Sequence, residues 1–592
     1  MFLRIVKARG GKGVTHEYVR LVEGYREHGK NKQRVISNLG RKDVLGAHLD
    51  SLIALLRGER GQVESAPLGA VRATQAWDWG PMLVVRTVWE ELGLHAILES
   101  LGGRNARDGA GLSDRAVVLV ANRLCAPTSE HGLARWLDTD YVCDRKGRRW
   151  QPRWRDERER LASRSPRVRV EFTQLAGWYR TLDQLVARKD AIERELYLRL
   201  RTLFALQVDL VLYDLTSTYF EGHGPPTLGA HGYSRDGKPR NRQVLVGVVM
   251  LDGWPITHHV FKGNWRDAQT VKQVVEDLDQ RFGLRRVVFV GDRGMVTSAN
   301  LALLRTRGQG YVVGLNRRRR AEIVRYIEAA TGPWIDCPVG ITAREKTDPP
   351  KTRVQEVASA QTGLRIFVVR SDERERYERA QRLKAMARVT PQLEALQRRV
   401  EQGKLKAADK IGAAAARIMA RNHGHRYYAW ELKAGRFHFF EHPVHLKREE
   451  ALEGTYLITT EEKDLTPVEA VSMYKGLSEV ERAFANLKDV IEMRPMYHQT
   501  DARVKAHIFV AALAFLLHRA IEKKLKTAGL DISATEAVQA LRSVRVVEFH
   551  FGRGDSSRSV TRGSDRAARV LAALGITQLD PPTPPPGAAT VA

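Results

Sequence analysis

Apolar and polar residues alternate in steps of two at the start of the chain, in FLRIV, YVRLVEGYRE and KQRVISNLG. Period two marks strands with one covered face. Turns are predicted at Gly10-Gly11, His28-Gly29 and Asn38-Leu39-Gly40, so a β-meander opens the chain. A short amphipathic helix is predicted over 45–58 and a polar linker over 59–78. From Pro81 to Leu137 the spacing changes to three and four, in MLVVRTVWEELGLHAILESLG, LSDRAVVLVANRL and SEHGLARWL, which predicts helices. Another helix is predicted over 171–205. Strand texture then returns at 207–220, 242–250 and 255–261. A helix follows at 267–282 with Val271, Val274, Val275 and Leu278 on one face, then a strand at 285–292, a helix at 298–307 and a strand at 311–316. The order is β-β-β-α-β-α-β. Residues 317–465 interrupt it. They begin with Arg317–Arg320, include a charged helical span at 372–421 with breaks at Pro391 and Gly403, and end in strand-like HRYYAWEL, RFHFF and GTYLITT. Thr466-Pro467-Val468-Glu469 is a capping box that starts a helix. The apolar run Ala506–Leu517, with His507 inside it, reads as a buried helix, being shorter than the ~20 residues that span a bilayer. The Pro-rich end 580–592 reads as disordered.

These changes of texture divide the chain into a basic N-terminal β/α module (1–58) and a helical domain for DNA binding or dimerisation (79–205). A catalytic core follows in two parts (206–317 and 466–550) around an insertion (318–465), with a C-terminal region (551–592). A hydrophobic share of 43% is that of a globular protein. The 97 Lys and Arg against 69 Asp and Glu leave a net charge of +28. That field concentrates polyanions, of which nucleic acid is the usual one. A ribosome-associated or merely basic enzyme is the bland alternative. About eleven Lys or Arg against three Glu in the first 42 residues make the meander a candidate DNA contact. Arg145–Arg160 interleaves arginines with Trp150 and Trp154, which suits a nucleic-acid groove or, more plainly, a solvated loop. The three cysteines, Cys125, Cys143 and Cys337, show no zinc spacing and fit a reducing compartment. With no apolar leader at the N-terminus, a cytoplasmic, nucleoid-associated protein without membrane contact is expected.

The candidate chemistry is carboxylate chemistry. Asp214 (in YDLTSTYF) and Asp292 (in VGDRG) end strands of an α/β sheet, where ligands bind. Each alone could be a turn residue. Tyr474, Glu481 and Lys488 recur at intervals of seven on the helix after the capping box, so on a continuous helix they share a face. Two strand aspartates facing a helix glutamate could hold two divalent ions, which phosphodiester hydrolysis and transfer require. Mg²⁺ takes oxygen ligands, so a few carboxylates suffice, and Mn²⁺ can substitute. Lys488 would neutralise a phosphate and Tyr474 hydrogen-bond it. Ser478 to Glu481 is also capping-box spacing, so Glu481 could instead cap a helix restarted after Gly476. There is no GxxxxGK[ST], and Gly308-Gln309-Gly310 precedes a strand where a dinucleotide loop would follow one. His258-His259 read as structural, and His423 with His425 lacks a third zinc ligand.

The order and spacing resemble the DDE transposases of bacterial insertion sequences. One branch of them carries a Tyr-x2-Arg-x3-Glu-x6-Lys signature and a long insertion before the Glu helix. Tyr474, Glu481 and Lys488 fall at the matching places, and Leu477 stands where the signature has Arg, with Arg482 as a candidate substitute. The similarity spans roughly Asp209–Lys523, and YVRLVEGYREHGKNKQRVISNLG also resembles the start of such proteins. The resemblance implies an RNase H-like, mixed five-stranded α/β core with a large mixed α+β insertion between strand five and the Glu helix. It implies that Asp214, Asp292 and Glu481 are catalytic metal ligands, and that Tyr474 and Lys488 bind DNA phosphate. The implied reaction nicks the element's ends and joins the freed 3′-hydroxyls to target DNA, with a homodimer holding two ends. A nuclease without strand transfer, or an inactive DNA-binding derivative, is the alternative.

Overall fold

The computed structural model describes the chain apart from residues 1, 10–14, 28, 44–70, 103–109, 152–170, 205, 207–208, 286, 296, 316–319, 339–349, 360, 362, 422, 552–554, 585–589 and 592. The helix expected at 45–58, the Gly10-Gly11 turn, Trp154 with its neighbouring arginines at 153–160, and the arginines at 317–319 therefore lie outside the described residues. The chain forms two compact units, Met1–Ala73 with Phe549–Ser557 and Thr74–Glu548 with Arg558–Ala592.

In the first unit β1 (Phe2–Arg9), β2 (Thr15–Glu27) and β3 (Lys30–Arg41) form the antiparallel meander that the alternation predicts. Val19 and Val22 are its buried side chains. Asn38-Leu39-Gly40 is no turn. Val19 pairs with Gly40 and Arg20 with Asn38, so Leu39 is the extra residue of a bulge and Gly40 takes the positive φ of 115°. β4 (Val71–Asp78) replaces the end of the expected linker.

The second unit is built on one sheet. Its founding strands are β6 (Leu210–Tyr219), β7 (Gln243–Leu251), β8 (Trp254–Lys262), β9 (Val288–Gly291) and β10 (Gly310–Gly314), close to the expected spans; β5 (Arg149–Trp150) precedes them. In space they run β8-β7-β6-β9-β10. β7 is antiparallel to β6 and β8, whereas β9 is parallel to β6 and β10. Five strands are not the whole sheet. β11 (Ile335–Cys337), β12 (Thr352–Val357), β13 (Arg365–Ser371) and β16 (Thr455–Thr460), all from the insertion, continue it beyond β10 to make nine. β16 pairs antiparallel with β10, Val313 opposite Thr459. The insertion thus covers what would otherwise be an open edge.

Each face of the sheet carries its own core. Val211, Tyr213 and Leu215 point to the side covered by the helix Asp267–Phe282. Leu212, Val246, Val248 and Val290 point to the other, where the core is shared with the helices Gly80–Glu91, Leu112–Cys125, Glu171–Ala187 and Asp501–Thr527. The expected helical domain over 79–205 is therefore packed into the same compact unit as the sheet. Asp501–Thr527 is long and apolar enough to cross a membrane, longer than the dozen apolar residues suggest, yet most of its apolar stretch is buried inside this core.

The rest of the insertion has a satellite core. Helices Asp372–Glu401 and Ala408–Arg421 enclose Val389, Leu393 and Ile411 with Phe437 of the hairpin β14 (Tyr428–Lys433) and β15 (Arg436–Glu441). Pro391 does not break its helix. The Thr390 hydroxyl donates to the Met386 carbonyl at 3.0 Å and the Gln392 amide to that of Arg388 at 2.6 Å, bonding the turn that the missing proline N–H weakens. Gly403, at φ 68°, follows the helix end as expected. Trp150 is neither groove nor solvated loop. It is fully buried, its ring 5.2 Å from Trp178 and 5.3 Å from the Arg115 guanidinium. β17 (Arg545–Phe551) and β18 (Asp555–Val560) pair next to β4, and the Pro-rich end returns as β19 (Thr590–Val591), parallel to β5.

Candidate functional site

β6 is central, and its register with β9 fixes the first two acids. Leu210, Val211 and Leu212 pair in parallel with Val288, Phe289 and Val290. Two residues further, Asp214 is level with Asp292, which follows the last residue of β9. Strands lie about 4.8 Å apart and side chains alternate between faces. Asp214 therefore shares the face of Leu212, and Asp292 that of Val290, the face that carries the third acid's helix.

That helix starts at the predicted capping box. The Thr466 hydroxyl accepts from Glu469 N–H, and Glu469 accepts from Thr466 N–H at 2.8 Å. Pro467–Lys475 and Leu477–Ala485 are separated only at Gly476, which keeps helical angles of −54° and −25°. A Cβ at Gly476 would stand 3.3 Å from a Leu212 methyl, so the glycine lets the helix approach β6. Leu477, Val480, Ala483 and Phe484 are buried against the sheet, and Glu481 lies on the exposed side. Ser478 is inside this helix and Glu481 is well past its first turn, so Glu481 is not a cap.

The three acids lie within electrostatic reach of one another. Burial first, then the negative charges of Asp292 and Glu481, push Asp214 up to about 7, against the Leu215 N–H bonded at 2.7 Å and the Arg235 guanidinium. Glu481 is raised by burial and by Asp292, and lowered by Arg374. Burial and the Asp292 charge thus raise both Asp214 and Glu481.

The other two predicted residues have protein partners. Tyr474 stacks on Tyr456 of β16, ring centres 5.7 Å apart. Lys488 lies in a π-helical turn, Asn486–Val490, which takes it off the regular two-turn repeat from Glu481. Its Nζ is 2.7 Å from Asp236 Oδ1, which Arg494 also engages. Burial lowers the Lys488 pKa, opposed by Asp236. Arg235, Asp236, Arg374 and Arg494 were not singled out by sequence reasoning. The turn at 234–237 is pinned in place. Arg235 N–H donates to Ser217 Oγ at 2.9 Å and its guanidinium to both Asp267 oxygens at 2.8 and 2.9 Å.

His258, His498 and His507 have protein partners. His258 is buried, its Nδ1 2.9 Å from Glu193. Glu130, His498 and His507 converge like metal ligands, but the Arg123 guanidinium occupies that place, 4.0 Å from Glu130 and 3.3 Å from His507 Nδ1. The three cysteines are buried and unlinked.

Comparison with known proteins shows the family. Residues 3–66 match the N-terminal domain of the IS1634 family transposases. Residues 209–517, more than half of the chain, match the transposase DDE domain. No curated protein matches the sequence. Among solved structures, a cryo-EM structure of a piggyBac transposase synaptic complex with hairpin DNA is similar at 10% identity over 78% of this chain and 79% of that one. Its TM-score of 0.31 is too low to carry an argument. The chain belongs to the DDE transposases, enzymes that cut and join DNA using divalent metal ions.

Proposed function

We propose that Asp214, Asp292 and Glu481 are the catalytic acids and together hold two divalent ions, Mg²⁺ with Mn²⁺ as a substitute. The observation that supports this reading is that the three carboxylates, two on neighbouring strands and one on a helix packed on the same face, lie within electrostatic reach of one another. The strand order β8-β7-β6-β9-β10 with β7 antiparallel supports an RNase H-like core. When bound, such ions activate an oxygen nucleophile and relieve charge on the leaving oxygen. The chain's own residues set the geometry. The two aspartates are fixed by the sheet ladder, while Glu481 is carried on a helix seated by Gly476. Lys488, held by Asp236, and Tyr474, held by Tyr456, flank the acids and would contact backbone phosphates.

The reaction on this reading has two transfers. Water attacks a phosphodiester at the element's end, and the broken P–O bond leaves a 3′-hydroxyl. That hydroxyl then attacks a phosphodiester of target DNA, forming one P–O bond and breaking another. The substrates are double-stranded terminal inverted repeats and target DNA. Holding two ends calls for a homodimer in the synaptic complex, and a cytoplasmic, nucleoid-associated enzyme fits the basic charge. The test is Mg²⁺-dependent cleavage of a duplex carrying the inverted repeat that brackets the reading frame. Nicked and joined products are expected. Nicking without joining would make the chain a nuclease. Cleavage that survives Asp214→Ala, Asp292→Ala and Glu481→Ala would place the active site elsewhere.

A further inference from the structure

The signature position ahead of the third acid holds Leu477, only 8% exposed and packed toward β6. Arg482 does not replace the missing guanidinium, because its Nε turns back to the Ser478 carbonyl of its own helix at 3.4 Å. A guanidinium approaches the Glu481 helix from another direction. Arg374 stands in the first turn of the insertion helix Asp372–Glu401, its backbone N–H on the Ser371 hydroxyl at 3.5 Å. Its guanidinium lies 5.2 Å from the ring centre of Tyr456, which in turn stacks on Tyr474. Tyr474 is on the Glu481 helix, one heptad earlier. The arrangement is fixed, since Lys475 Nζ donates to Thr352 Oγ1 of β12 at 2.8 Å and β16 is hydrogen-bonded to β10.

We infer that Arg374, contributed by the insertion, is a substrate-binding residue of this site and grips a DNA backbone phosphate beside the Glu481 helix, next to Tyr456 and Tyr474. The chemistry fits. Glu378 accepts from the Arg374 Nε at 2.9 Å, and a guanidinium carries four further N–H groups in a planar fork suited to phosphate oxygens. Stacking on Tyr456 holds that plane in one orientation. The insertion then both covers the sheet edge and completes the site. The inference rests on the three acids being the active site.

The test uses the full chain and duplexes carrying the bracketing inverted repeat, each with a single backbone phosphate near the cleavage point replaced by a neutral methylphosphonate. Arg374→Ala is expected to weaken binding of the unmodified duplex, measured without metal, and to raise KM on the order of tenfold, with kcat changed far less. On one neutralised duplex the variant and the parent should bind equally, because the contact is already gone. Arg374→Gln, which can still bond Glu378, should show the same pattern if the alanine variant does not fold. An equal penalty on every neutralised duplex would overturn the inference. So would an activity defect repaired by more Mg²⁺, which would make Arg374 only a counter-ion of Glu481. Cleavage surviving Asp214→Ala and Glu481→Ala would instead sink the site itself, whatever the binding data show.

Discussion

At the scale of single residues the candidate site is a set of negative charges within electrostatic reach of one another. Asp214 sits on a central strand and is pushed up to about 7 by burial and by Asp292 and Glu481. Removing any one acid deprives the reaction of charge stabilisation worth several kcal/mol. Asp214→Ala, Asp292→Ala and Glu481→Ala should therefore each lower the cleavage rate on the order of a thousandfold or more, read as nicked product per unit time. The same repulsion makes a second prediction. A divalent ion that binds the folded site and not the unfolded chain stabilises it by mass action. Millimolar Mg²⁺ or Mn²⁺ should raise the melting temperature of the parent protein and leave Asp214→Asn unmoved. A metal-induced shift that persists in that variant would mean the ion binds elsewhere. Asp292 directly follows its strand, as the sequence places it, whereas Asp214, expected at a strand end, lies in the middle of β6, because the pairing with β7 runs on through Tyr219. Arg374 and Asp236 were not legible in the sequence, because their meaning depends on partners more than a hundred residues away, and nothing local in SRDG or DERER distinguishes them from surface charge.

At the scale of elements the alternation and the three-four spacing carried far. The founding strands and the helix at 267–282 lie close to where periodicity puts them. What periodicity could not supply was where the insertion strands pair, since a strand's edge partner is a matter of hydrogen bonds between distant segments. Nor could composition foresee that Trp150 among its arginines is a core residue or that the Pro-rich end returns to pair with β5. One docking of elements can be tested by pH. The helix Lys189–Phe204 is tied to β8 through Glu193, which accepts from Thr257 Oγ1 at 2.8 Å and pairs with Lys189 and with His258. Burial first, with Lys189 and His259 adding to it and Glu193 opposing, lowers His258 to about 4. The folded state keeps the ring neutral while the unfolded chain takes up a proton below the ordinary value near 6.5. The stability this provides is present above about 6.5 and is lost as pH falls through 4, at most about 3 kcal/mol. Urea unfolding at pH 7 and pH 4.5 should show the loss, and His258→Gln should show a smaller one. The other buried histidines contribute equally to both proteins, so an unchanged difference would remove His258 from the account.

At the scale of the whole molecule the excess of positive charge and the cluster of three acids have to coexist. A net charge of +28 attracts DNA wherever cations are exposed, whereas the acids repel phosphate until a metal neutralises them. Binding and cutting should therefore separate by ionic conditions. The meander carries exposed cations in its strands, among them Lys7, Lys32 and Arg34, with side chains 73, 52 and 66% accessible. Each is paired to a glutamate on an exposed surface, where such pairs contribute little and exchange readily for a phosphate. If the meander grips the backbone, each phosphate it neutralises releases counter-ions, and affinity falls with salt at a slope of about 0.9 per contact. Replacing these three residues together by glutamine should flatten the plot of log affinity against log salt by roughly two to three, for specific and random duplexes alike. It should leave the cleavage rate at saturating DNA within about twofold, because nothing in the carboxylate cluster has changed. A slope that does not move would take the meander out of DNA binding. A lost cleavage rate at saturation would mean that the basic module takes part in the chemistry and does not merely hold the duplex.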